Sequence, residues 1–143
     1  MGAWMGYNFL EKSRVVYLQF HDHYHSDEFI DALRIVMSNP LYDKTLVTII
    51  DLTHKKGSYL GFNIQQVIQF ALNASNLPST VYFVSSNPIL TAFGYVTKKR
   101  IKTLLNLEVV STLASVQNML NAQGNDISMS DFEELPFRIE LAN

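Results

Sequence analysis

The stretch Phe20 to Leu33, FHDHYHSDEFIDAL, sets His21, His23 and His25 at alternate positions ahead of a helix-like run. Zinc takes three or four nitrogen, sulfur or carboxylate ligands in a tetrahedron. Alternate residues of extended chain share a side. His21 and His23 therefore present their rings together, and His54 or Asp51 would have to complete the set. No HExxH and no second histidine-rich motif accompanies them. The competing reading is a solvated loop feeding a helix N-terminus, and that is the expectation here: no metal and no cofactor. A histidine acting as general base needs a nucleophile and an orienting partner. Ser85 and Asp51 are at hand, but no G-x-S-x-G surrounds a serine. No catalytic residue and no enzymatic activity are expected.

A second cluster is TKKRIK, Thr97 to Lys102. On a helix Lys98 and Lys102 share a face, which is either a solvated surface or a place for an anionic partner such as a membrane. The chain as a whole argues against nucleic acid, since it carries a net charge of −2 and a pI near 6.0. Its 143 residues suit one core, and 48% apolar against 17% charged residues mark a globular chain. Cysteine is absent, which removes disulfide and thiol chemistry and suits a reducing cytoplasm. The opening MGAWMGYNFLEK has no charged region ahead of a long apolar core, so no signal peptide is read there. Gly6 stands where a myristoylation motif wants serine or threonine. No apolar run approaches the roughly 18 residues of a membrane span, and a cytoplasmic location is expected.

The elements that must position these residues follow from periodicity. Tyr7 to Leu10 and Val15 to Phe20 are β-rich runs around EKSR and read as an antiparallel hairpin. Ser26 is the expected N-cap of a helix with Asp27 and Glu28 in its first turn. Phe29, Ile30, Leu33, Val36 and Met37 give that helix its apolar stripe, and Asn39-Pro40 stops it. Thr45 to Leu52 is a strand and THKKGSYLG a loop. Ile64, Val67, Ile68, Ala71 and Leu72 mark the second helix. STVYFVSS is a strand, Pro88 opens a helix running past Phe93, Val96 and Ile101 to Leu104 and Leu105, and LEVVS is a short strand. Leu113, Val116 and Leu120 mark a last helix ending near Gly124.

This alternation predicts an α/β fold with a mostly parallel, mixed sheet of about five strands, an N-terminal hairpin and four helices. Residues 1–124 form the domain. Residues 125–143 form an acidic tail with five acids against Arg138, a net charge of −4. Within the tail Phe137, Ile139 and Leu141 alternate with Arg138 and Glu140, the pattern of an extra strand. Alternation within the strands predicts two unlike faces. Val16, Leu18, Phe20, Val47, Ile49, Val81 and Phe83 make an apolar face that meets the helices. Tyr17, Gln19, Thr48, Ile50, Tyr82 and Val84 make a mixed face, partly covered and suited to a homodimer through that face, the tail or both.

The run DEFIDALRIVMSNPLYDKTLVTIIDLT, then SSNPILTAFGYV and LEVVSTLASVQNML, resembles the SpoIIAA-like, or STAS-type, proteins over about residues 7–123. The outline is also similar to lipid-carrier domains of the Sec14 type. The resemblance implies a β-α superhelix with helices mainly on one side. It implies a role in binding proteins, nucleotides or apolar ligands rather than in catalysis. The phospho-switch members carry an Asp-Ser pair after the Asp-Leu strand. Here Tyr59 and Leu60 fall at those positions and Ser58 is out of register, so no serine switch is expected.

Ligands of parallel sheets gather at the carboxyl ends of the strands. The candidate binding residues are therefore His23 and His25, Asp51, His54, Ser58 and Tyr59, and Ser85 and Ser86. Phe93 and Tyr95 join them for an apolar pocket between helices and loops. The expected function is a non-catalytic regulatory module acting through protein contacts. The alternative is a protein of the same fold that binds an apolar ligand or a membrane surface.

Overall fold

The computed structural model describes residues 3–22, 24–54 and 62–141. Two strands open the chain, β1 (Trp4–Leu10) and β2 (Val15–His21), joined by a 3₁₀ turn at Glu11–Ser13. Arg14, with φ of 59°, closes that turn in the left-handed region, where a non-glycine residue is uncommon. Then come α1 (Ser26–Met37), β3 (Val47–His54), α2 (Ile64–Asn73), β4 (Thr80–Val84), α3 (Pro88–Ile101), β5 (Asn106–Val110) and α4 (Leu113–Ala122). A 3₁₀ segment, Met129–Glu133, leads into β6 (Phe137–Glu140).

Six strands form one sheet in the order β5-β4-β3-β2-β1-β6. Strands β2 to β5 are parallel, and β1 is antiparallel to both β2 and β6. Because β2 to β5 add on one side in turn, α1, α2 and α3 pack together on one face of the sheet. The chain leaves β5 at one edge and must reach β6 at the other. It does so across the opposite face, laying down α4 and the 3₁₀ segment.

This return path corrects the expected half-bare face. Tyr17, Ile49, Tyr82 and Val84 are buried within the chain beneath Val116, Leu120 and Phe132. The Tyr17 and Phe132 rings lie 4.8 Å apart, and Gln123 donates to the Tyr82 hydroxyl at 3.1 Å. The phase of β3 is also opposite to expectation. Val16 pairs with Thr48 and Leu18 with Ile50, so Thr48 and Ile50 lie beneath α1–α3 while Val47, Ile49 and Asp51 face α4. The surface proposed for a homodimer thus dissolves: its residues are split between two faces, and all but Gln19 are buried.

The tail does form a strand, and it pairs in its own chain. Phe137 stacks on Tyr7 at 5.0 Å, and Leu141 donates its N–H to Ala3 at 2.9 Å. Helix starts follow local chemistry. Asn63, Asn87 and Thr112 cap α2, α3 and α4 with their side chains, and Pro88 takes the first turn of α3. At α1 the cap is His25, not Ser26. The Glu28 carboxylate accepts the His25 N–H at 2.8 Å, while the Ser26 hydroxyl accepts the N–H of Asn63 and ties the starts of α1 and α2 together. Val96, Leu72 and Leu104, which the periodicity assigns to helices, are 46%, 48% and 44% exposed.

Candidate functional site

Two places gather unusual side chains. The first is the carboxyl edge of β2 and β3. β3 runs on through Thr53 and His54, which the sequence reading put in a loop. The Asp51 side chain is completely buried. One carboxylate oxygen accepts from the Tyr17 hydroxyl at 2.5 Å; the other accepts from the Thr53 N–H at 2.9 Å and the Thr53 hydroxyl at 2.6 Å. Gln19 donates to the Tyr17 oxygen at 2.8 Å, and its carbonyl meets Nε2 of His21. Burial, and then the Asp51 carboxylate, push the Tyr17 phenol above its ordinary range.

Over this network stands a column of flat groups. The His21 ring stacks on Trp4 at 3.9 Å and on His54 at 4.7 Å. The Arg138 guanidinium lies 4.0 Å over the Trp4 ring. Burial, and next the neighbouring His54, lower the His21 pKa. Ring-nitrogen lone pairs lie in the ring planes, so two histidines stacked face to face do not aim them at one point. Among the described residues no group of three or more His, Asp or Glu side chains is placed to hold a metal ion. His54 Nε2 is 3.8 Å from Asp51, beyond hydrogen-bond range. Asp51 already accepts three hydrogen bonds away from solvent, so it is an anchor for β2 and β3 rather than a base open to substrate.

The second place is a cavity of about 90 Å³ between the sheet and α1–α3. Its floor includes Leu18, Thr48, Ile50 and Phe83 from the strands, and Phe29, Phe70 and Phe93 wall it from the three helices. Three side chains with hydroxyls line it. Tyr42 donates to the Asn76 carbonyl at 2.8 Å and Thr97 to the Phe93 carbonyl at 2.8 Å. The Thr48 hydroxyl is buried and has no hydrogen-bond partner among the described residues. A buried polar group left unmatched costs about 1–3 kcal/mol.

The expected site residues do not converge. Asp51 and His54 meet at the strand edge. His25 serves the start of α1. Ser85 is buried and accepts the Asn87 N–H at 3.1 Å, a turn contact before α3. Ser86 is exposed, and Tyr95 turns outward at 55% exposure. Phe93 alone lines the cavity, stacked 5.8 Å from Phe62. His23, Ser58 and Tyr59 lie outside the described residues. In the basic cluster, Lys98 and Lys102 line one surface hollow, and Lys98 pairs there with Glu108 at 3.6 Å. Sequence reasoning missed Thr48 as a cavity residue because it put β3 in the wrong phase. It missed the Trp4–Arg138 contact because those two residues meet only once β6 has paired with β1.

The described residues define an α/β fold with a mixed, mostly parallel six-stranded sheet and four α-helices. Comparison with family models, curated proteins and solved structures finds no match to the chain. Among the described residues, no helix is long and apolar enough to cross a membrane.

Proposed function

We propose that this chain is a non-catalytic binding module whose ligand is a small apolar molecule held between the sheet and α1–α3. The observation that carries this reading is the cavity itself, partly open to the surface and walled by aromatic and aliphatic side chains of the larger core. Native interiors are close-packed with few voids larger than a water molecule, so space kept there is unusual. The reading as a SpoIIAA-like module working through protein contacts rests on resemblance, and the self-complementary face it would use, around Tyr17 and Tyr82, lies beneath α4. Support therefore moves from the protein partner to the apolar ligand. A non-enzymatic role agrees with Asp51 being saturated by Tyr17 and Thr53.

Size sets the ligand class. An apolar cavity of about 150 Å³ takes benzene, and drug-sized pockets run to about 300–1,000 Å³. At about 90 Å³ this cavity suits a single ring or short chain, seated with adjustment of flexible Met37, and not a diacyl lipid. Toluene is the probe. At ten times its dissociation constant it should stabilise the protein by about 1.4 kcal/mol, a rise of roughly 4 °C in melting temperature. Ala71→Leu, which fills the cavity from α2, should remove that rise. An equal rise in both proteins, or none in the parent, would rule the reading out.

A further inference from the structure

Thr48 sits on β3 beneath α1–α3, with Val16 beside it on β2 and Val81 beside it on β4. Both neighbours are buried valines in the same core. Valine has the shape of threonine with a methyl in place of the hydroxyl, and it is at least as good a strand former. Packing and pairing alone would therefore be better served by valine at this position. The chain carries threonine, and the hydroxyl is buried against the cavity without a partner among the described residues. A bound water needs two to four polar partners. The other two hydroxyls lining the space, on Tyr42 and Thr97, give their protons to carbonyls and can offer only acceptor lone pairs.

We propose that the cavity selects an apolar molecule bearing one hydrogen-bonding atom, such as a single-ring phenol or a short-chain alcohol or ketone, and that Thr48 reads that atom. A hydroxyl both donates and accepts, so it serves an alcohol and a carbonyl equally. The surrounding phenylalanines and aliphatic side chains take the rest of the molecule. Thr48 is thus a specificity residue, and the inference rests on the cavity being the ligand site.

Phenol and toluene test it, since they differ by a hydroxyl in place of a methyl. Affinities are measured calorimetrically on the full chain and on Thr48→Val and Thr48→Ser. In the parent, phenol should bind at least as tightly as toluene although water solvates it better. Thr48→Val should weaken phenol roughly five- to tenfold, leave toluene unchanged or tighter, and melt no lower than the parent. Thr48→Ser keeps the hydroxyl and should keep the preference for phenol. Toluene binding with an unaltered phenol affinity in Thr48→Val would overturn the role of Thr48 and leave the cavity reading standing. Equal loss of both ligands in Thr48→Val would also overturn it. No binding of either molecule to the parent would overturn both.

Discussion

The Tyr17 hydroxyl and the Asp51 carboxylate meet at 2.5 Å between adjacent parallel strands, with both side chains buried. Gln19 and Thr53 complete the ring of donors. A polar cluster under α4 is tolerated only because each of these contacts is made, and a half-satisfied network would be worse than an apolar one. Its members are therefore coupled, and single substitutions should not act independently.

Tyr17→Phe should cost about 1–3 kcal/mol, because it leaves a buried carboxylate oxygen without its donor. Asp51→Asn should cost a similar amount. The double variant should be less destabilised than the sum of the two by about 1 kcal/mol or more. Urea unfolding of the four proteins measures this. Additivity within about 0.3 kcal/mol would show that the pair is not energetically joined.

His21 gives the protein an acid-side dependence whose sign is fixed. Burial and the adjacent His54 lower its pKa in the folded state. The unfolded chain thus binds the proton more readily. The associated stability is complete above the unfolded value of about 6.5 and is lost as pH falls through the folded value. Trp4 is the only tryptophan and stacks on this ring. Its fluorescence between pH 7 and 4 should report a midpoint below about 6.5. His21→Phe keeps a flat ring in the column and should flatten both the fluorescence change and the stability profile. A midpoint above that reference value would contradict the assigned direction.

Much of this architecture is legible in the residue pattern, and what is not has a common cause. The stripes at Phe29–Met37 and Ile64–Ala71 fix α1 and α2, because a helix covered on one side must alternate with period 3.6. β3 offers no such signal. It lies at the centre of the sheet with both faces covered, so LVTIID carries apolar residues in both phases, with one polar residue in each, and its phase cannot be read. A slip of one residue moves every side chain to the other face. That slip hid Thr48 from the cavity and Asp51 from Tyr17. The tail strand is different: Phe137, Ile139 and Leu141 alternate cleanly, because one side meets the core and the other meets solvent. Its partner was not legible, since β1 lies at the far end of the chain.

Because β6 pairs within its own chain, removing residues 136–143 should destabilise without altering association. The loss takes Phe137 from Tyr7 and Phe9, and Ile139 and Leu141 from the core. At about 1.5–3 kcal/mol for each fully buried large apolar side chain, about 4 kcal/mol is expected. Thermal unfolding and light scattering at one fixed concentration test this. A truncated protein that melts with the parent, or a parent dimer converted to a monomer, would argue for pairing across two chains.

The pairing of the first strand with the last also sets an order in time. β1 leaves the ribosome ahead of its partners, finds β2 through a short turn, and then keeps its outer edge open until β6 has been made. At about 5–20 residues per second, that interval is on the order of ten seconds. Throughout it, the backbone groups of Trp4 to Tyr7 on that edge have no strand to bond. Met5, Tyr7 and Phe9 meanwhile lack the cover that Phe137, Ile139 and Leu141 later supply. The sheet is thus finished from its oldest strand by its newest, and one side stays unzipped for the time between them.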